Sequence, residues 1–116
     1  MQRFPGTLKG ISSAVIHNGL VYAVATDPVC AKGIELQTRN TLEDLQRILK
    51  EAGSDKTQLI QATVYLDDIS QKDAMNDVWC DWIGDESNWP QRACVGVDLV
   101  EGYLFEVVVI AALIAE

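Results

Sequence analysis

Apolar and polar residues change period several times along the chain, and each change marks a predicted element. Ser13–His17 and Leu20–Ala25 are short β-prone runs separated by Asn18-Gly19, the strongest short-range signal for a two-residue hairpin. Thr26–Gly33, which contains Asp27-Pro28, reads as a loop. From Ile34 to Ala52 the period becomes helical. Leu42, Leu45, Ile48, Leu49 and Ala52 fall on one face, Glu43, Asp44, Arg47, Lys50 and Glu51 on the others, and Gly53 stands where a helix C-terminus wants a left-handed residue. Gln58–Leu66 alternates, with Ile60, Ala62, Val64 and Leu66 on one side and Gln61, Thr63 and Tyr65 on the other, the pattern of a half-buried strand. Ser70 is placed to cap a second helix running to about Gly84, whose stripe is Ala74/Met75, Val78/Trp79 and Trp82/Ile83. Tryptophans at that spacing are read as core or interface filling. After the loop Asp85–Pro90 come two strands, Gln91–Leu99 and Tyr103–Leu113, joined around Glu101-Gly102. The order β-β-α-β-α-β-β predicts an α+β fold, one mixed sheet with two helices on one face, in a single domain spanning residues 1–116.

The last strand carries a second message. Leu104, Val108, Ile110 and Ala112 lie on one face and Phe105, Val107, Val109, Ala111 and Leu113 on the other, so only Glu106 interrupts an apolar strand. Leu20–Ala25 is also apolar on both sides. An antiparallel sheet with one wet face should alternate, and two helices cover only one face of the predicted five-stranded sheet. The other face is therefore expected to be buried against another copy of the chain.

Two charged residues stand where strand pattern predicts burial or half-burial. Glu106 is a carboxylate in an apolar strand, costly unless paired, hydrogen-bonded or protonated, and a carboxyl so placed suits acid–base work on a water. A solvated groove or a structural ion pair is the plainer alternative. Arg92, just after Pro90, offers a planar fork of donors suited to a ligand carboxylate, with a surface ion pair as its plainer alternative. If the last two strands form a hairpin turning near Val100–Gly102, Arg92 pairs near Val109, on the order of 10 Å from Glu106 at ~3.3 Å per residue. Asp67-Asp68 sits at a strand–helix junction, where acidic residues favour the helix start, and His17 reads as an exposed hairpin residue. Gly-rich phosphate loops and Ser/His/Asp signatures are absent from the sequence.

Composition narrows the partners. Nine Lys+Arg against seventeen Asp+Glu give a formal charge of −8, and such a surface repels phosphate backbones, so no nucleic-acid partner is expected. Cys30, Cys80 and Cys94 match no zinc spacing and His17 is the only histidine, so no metal is expected and the thiols read as small hydrophobes or loop residues. The N-terminus, Met-Gln-Arg-Phe-Pro-Gly, lacks an apolar h-region, and the longest apolar stretch, Val107–Ala115, is far shorter than the ~20 residues of a membrane span. The expectation is a reduced, cytoplasmic protein with no membrane partner.

Four segments between about Ser12 and Ala112 together resemble the RidA/YjgF (reactive intermediate deaminase) family. Thr41-Leu-Glu-Asp-Leu-Gln-Arg-Ile-Leu49 with Lys50-Glu-Ala-Gly53 is similar to the family's first helix and its Ala-Gly end. Thr63-Val-Tyr-Leu-Asp-Asp68 resembles its third strand, and Met75-Asn-Asp-Val-Trp79 a hydrophobic-Asn-x-x-aromatic signature of its second helix. The most specific match is Pro90-Gln-Arg-Ala-Cys-Val95 with Phe105-Glu106 and Val109-Ile-Ala111, similar to the family's C-terminal block. The resemblance implies a chorismate-mutase-like homotrimer with ligand clefts between subunits, and a cofactor-free enamine/imine deaminase that hydrolyses a reactive amino-acid-derived imine to a 2-keto acid and ammonia. By the same resemblance Arg92 holds the substrate carboxylate and Glu106 orients or activates water. Asn76 and Cys94 line the cleft, with Trp79 beside them. The sequence departs from the deaminase pattern at two places. Ile11 stands where those members carry a site tyrosine, and Val24-Ala25 where they carry Ser-Gly, so the cleft is expected to be more apolar at that end. The departures favour an alternative, a non-catalytic trimer of the same fold that binds small carboxylates or regulates. Some relatives are labelled endoribonucleases or translation inhibitors, a reading the charge of −8 opposes.

Overall fold

A computed structural model describes residues 1–114, which leaves Ala115, the end of the apolar run, outside the described residues. Among the described residues six strands and two long helices follow one another: β1 (Gln2–Pro5), β2 (Ser12–His17), β3 (Leu20–Ala25), α1 (Ile34–Glu51), β4 (Leu59–Leu66), α2 (Lys72–Ile83), β5 (Gln91–Gly96) and β6 (Phe105–Ala112). β1 extends the predicted five strands to six. It is a short edge strand, antiparallel to β2, with Arg3 opposite Val15 and Phe4 opposite Ala14. Asn18 and Gly19 take φ of 51° and 78° between β2 and β3, the double left-handed conformation that a tight two-residue hairpin needs.

The sheet runs β1-β2-β3-β6-β4-β5. All neighbours are antiparallel except β4 and β5, which are parallel because α2 carries the chain back before β5 begins. This arrangement corrects the expected terminal hairpin. β5 and β6 are not neighbours: the loop after Gly96 crosses the end of β4, and β6 inserts between β4 and β3. The apolar character of β6 on both faces follows from that central position.

One face of the sheet packs on the helices. Val21, Ala23 and Ala25 of β3, Ala62, Val64 and Leu66 of β4, and Phe105, Val107, Val109 and Ala111 of β6 point into a core completed by Leu42, Leu45 and Leu49 of α1 and Met75, Trp79 and Ile83 of α2. Gly53 (φ 91°) ends α1, and the Ser54 N–H donates to the Leu49 carbonyl at 2.8 Å. The start of α2 differs from expectation. Asp68, not Ser70, caps a single turn leading into the helix, accepting from the Ser70 N–H at 3.0 Å and the Ser70 hydroxyl at 2.7 Å. Those two bonds hold the Asp68 carboxyl below its ordinary range.

Polar groups inside α1 tie the helix to two loops. Asp27, almost wholly buried, accepts from the N–H groups of Val29 (2.8 Å) and Ala31 (2.9 Å) and from Asn40 Nδ2 (3.2 Å). Gln37, with no exposed surface, donates from Nε2 to the carbonyls of Ala31 (2.8 Å) and Gly102 (2.7 Å) and accepts at Oε1 from the Leu104 N–H (2.8 Å). Thr38 is the exception: it is fully buried and its Oγ1 has no partner among the described residues. Replacing an orphaned hydroxyl by a methyl of the same shape removes a desolvation cost. Thr38→Val is therefore expected to stabilise the protein by about 1 kcal/mol, which thermal melting would record as a rise of roughly 4 °C. An unchanged or lowered midpoint would show that the hydroxyl is satisfied.

Candidate functional site

The opposite face of the sheet carries no helix. Tyr22 (42% exposed), Val95 (41%) and Val108 (39%) lie on it, with Val24, Ile110, Thr63 and Tyr65 half-buried or exposed between them. Glu106 belongs to this open face. It sits across from Tyr65, which in turn sits across from Val95. The β3–β6 register ends at Ala25 opposite Val107, so Glu106 projects just past the end of β3, at the mouth formed where β2 begins and β4 and β5 end. Val24 stands opposite Val108 on the same face, and Ile11 (53% exposed) immediately precedes β2 at that end.

Arg92 and Cys94 alternate the other way. Arg92 pairs with Ala62 and Cys94 with Val64, both core positions, so their side chains lie on the helix side of the sheet along its parallel edge. The small Ala62 leaves room for the guanidinium, whose central carbon stacks 5.0 Å from the centroid of the Trp79 ring. Trp79 is buried, and Asn76 is half-buried one turn earlier on the same helix face. Arg92 Nη1 is buried and has no hydrogen-bond partner among the described residues. A guanidinium nitrogen withdrawn from water and left without an acceptor is costly, and an anion seated there would relieve that cost.

The sequence-predicted site thus falls into two halves. Arg92, Cys94, Trp79 and Asn76 gather at the β5–α2 edge, whereas Glu106, Val24 and Ile11 gather at one end of the open face. Arg92 and Glu106 lie on opposite faces, two strands and three residues apart, roughly 14 Å between Cα atoms from sheet spacings. The shorter hairpin distance does not hold, because β4 lies between the two strands. Ala25 is a further correction: its methyl is in the core beneath α1, opposite Val107, and cannot line a cleft. Tyr65 was not foreseen. Its place beside Glu106 follows only from the β4–β6 register, although the alternation Gln61, Thr63, Tyr65 already set it on the polar side.

Other candidates have structural work. His17 is exposed and shares a 3.2 Å hydrogen bond with Asn18. Asp67 accepts from the Leu99 N–H at 3.2 Å, fastening the loop that leaves β5. Cys30 and Cys80 are exposed and Cys94 half-buried, so Cys80, on the outer surface of α2, is neither a buried hydrophobe nor a loop thiol. Among the described residues no helix is long and apolar enough to cross a membrane.

Two helices on one face of a six-stranded mixed sheet, with a guanidinium stacked on tryptophan at its parallel edge, define the class: a small α+β domain of chorismate-mutase-like architecture. Comparison with known proteins places it more narrowly. The protein-family model described as endoribonuclease L-PSP matches residues 1–113, and a YjgF-family protein of Neisseria meningitidis superposes with a TM-score of 0.92 at 31% identity, covering 99% of this chain and 96% of its own. The chain belongs to the RidA/YjgF family. The RutC family protein YoaB of Escherichia coli is 34% identical over 103 residues, 87% of this chain and 89% of that protein. A human 2-iminobutanoate/2-iminopropanoate deaminase is 29% identical over 100 residues, 80% of this chain and 72% of the human protein.

Proposed function

We propose that the protein is a cofactor-free hydrolase of amino-acid-derived imines, working as a homotrimer in clefts built between copies. The observation that carries this reading is the buried, unpartnered Nη1 of Arg92, held over Trp79 and ready for a carboxylate. The human relative, a deaminase of two such imino acids by name, supports the same chemistry at the level of the family.

In this reading Arg92 binds the substrate carboxylate through its fork, with Asn76 and Cys94 beside it. Glu106 of an adjoining copy takes a proton from water as the oxygen attacks the electrophilic imine carbon, giving a carbinolamine. The same carboxyl hands that proton to nitrogen, then carries the second water proton, that of the carbinolamine hydroxyl, to the amine as the carbonyl forms and the C–N bond breaks, and a 2-keto acid and ammonia leave. Water supplies the oxygen and the protons, so no redox partner is needed. Positioning carries most of the rate, because the imine carbon is already electrophilic. A second reading, a trimer that binds small carboxylates without turning them over, is favoured by the apolar Val24 and Ile11 at the Glu106 end.

The opposed faces of Arg92 and Glu106 give the proposal a sharp test. Arg92→Ala and Glu106→Gln, each slowed by orders of magnitude alone, are to be mixed by co-expression or joint refolding. If one copy supplies the guanidinium and its neighbour the carboxyl, about a quarter of the clefts in a one-to-one mixture regain both groups, and activity returns accordingly. Mixtures as inactive as either parent would remove the shared cleft. Wild-type rates equal to buffer across several amino-acid-derived imines, with the keto acid still binding, would leave the non-catalytic reading.

Association itself is tested on the open face. Val108 is 39% exposed at the centre of that face, and a carboxylate there would be buried unpaired in any sheet-to-sheet packing. Val108→Glu is expected to leave the fold intact, shift light scattering to single chains, and abolish imine turnover together with assembly.

A further inference from the structure

We infer that Gln37 is a positioning residue for Glu106, acting through the backbone of Leu104; the inference deepens the imine-hydrolase reading and rests on it for its catalytic arm. The argument begins with what β6 lacks. From Val107 to Ala111 the strand is held on both sides, by β3 and by β4. Phe105 and Glu106 run past the last β3 pair and keep only β4 as a strand neighbour, and Leu104 lies just before that register begins. Gln37 takes over on that free flank from within α1. Its Oε1 accepts from the Leu104 N–H, and its Nε2 donates to Gly102 and, across the gap, to Ala31. The Leu104 carbonyl meanwhile accepts from the Asp67 N–H at 3.1 Å, so one residue is gripped by α1 through its N–H and by the residue after β4 through its carbonyl. Two residues later stands Glu106. Gly102 is held twice, because Cys30 Sγ also contacts its carbonyl at 3.2 Å.

A side chain that needs only to fill the core at this depth would be apolar. A glutamine with every donor and acceptor directed at loop backbone instead fixes where the loop ends and the strand begins. The carboxyl on that strand must meet a water and an imine carbon within a few tenths of an ångström, and small misplacements of such groups are expensive in rate. Arg92 stands on β5, two strands from β6, outside the hydrogen bonds of this hub. Loss of Gln37 should therefore separate the two halves of the site.

The experiment uses the full chain in its assembled form, with Gln37→Leu and Gln37→Glu. In Gln37→Leu, amide exchange at Leu104, Phe105 and Glu106 is expected to speed up by about tenfold or more while Val107–Ala111 keep their protection. Equal acceleration along all of β6, or none, would overturn the inference. In imine hydrolysis kcat should fall about tenfold with KM held within about twofold, and Gln37→Leu combined with Glu106→Gln should be no slower than Glu106→Gln alone. Additive losses would mean that Gln37 serves the fold in general, which also overturns the inference. Gln37→Glu covers the case in which the leucine variant does not fold. A protonated carboxyl can donate to Gly102 while accepting from Leu104, so protection at Leu104 and kcat should recover as pH is lowered, a dependence absent from wild type. If wild-type protein turns over no imine, the functional reading fails, and the exchange pattern still decides whether Gln37 holds the Glu106 segment.

Discussion

Replacing Arg92 with alanine is expected to lower kcat/KM for an imino acid by roughly 100-fold without unfolding the protein. The expectation follows from the two things its guanidinium does. It stacks on Trp79, which an aliphatic stem could do nearly as well, and it keeps a buried Nη1 without an acceptor, which serves no part of the fold. A charge-assisted hydrogen bond to a carboxylate carries about 1.5–3 kcal/mol, and loss of orientation at the reacting carbon adds to that. Arg92→Lys should recover only part of the loss, because a point charge cannot reproduce the planar fork. Arg92→Met is the discriminating variant. It preserves the apolar stem, removes the orphaned nitrogen, and is expected to melt no lower than wild type while binding keto acids as poorly as the alanine variant. A methionine variant that melts well below wild type would make Arg92 a structural residue and withdraw its assignment to substrate.

The largest effect on stability is expected at Phe105. It is the bulkiest of the fully buried side chains, stands opposite Leu66 of β4, and begins the strand that carries Glu106. Phe105→Ala removes a ring from a site walled by sheet and helices, where little can collapse into the void. About 3–5 kcal/mol of destabilisation is expected, a large share of the roughly 5–15 kcal/mol that holds a domain of this size. Thermal unfolding should record it as a fall on the order of 12–20 °C. A loss under about 1 kcal/mol would mean that the neighbouring leucines refill the space.

How much of this was legible in the sequence depended on whether a feature is local. Asn18-Gly19 specified its hairpin because two left-handed residues in a row leave few other conformations. The stripe from Leu42 to Ala52 fixed the inward face of α1, and Gly53 its end. β1 was invisible because Gln-Arg-Phe-Pro has neither alternation nor length, and becomes a strand only through pairing with β2. The neighbours of β5 and β6 were equally out of reach. Both strands could have formed a hairpin on pattern alone, and nothing local says that β6 slips between β3 and β4. The site followed the same division. Arg92 and Glu106 were conspicuous as charges in strands, while their placement on opposite faces, one on the edge strand β5 and the other on the interior strand β6, depended on pairing. Gln37 and Asp27 escaped because polar residues in a helix and a loop read as outward. Extending the apolar stripe of α1 back from Leu42 leads to Thr38, Gln37 and Ile34, and the two polar residues inside that inward stripe were the signal available.

Under the proposed shared cleft, the division of the charged groups between two faces has a consequence for how much protein a cell must hold. A catalyst complete within one chain keeps its turnover per molecule at any dilution. One assembled from the guanidinium of one chain and the carboxyl of another loses specific activity once concentration drops below the dissociation constant of the assembly, and a bound keto acid that bridges the pair shifts that threshold downward. Output then rises more steeply than abundance, so that halving expression near the threshold cuts capacity by more than half.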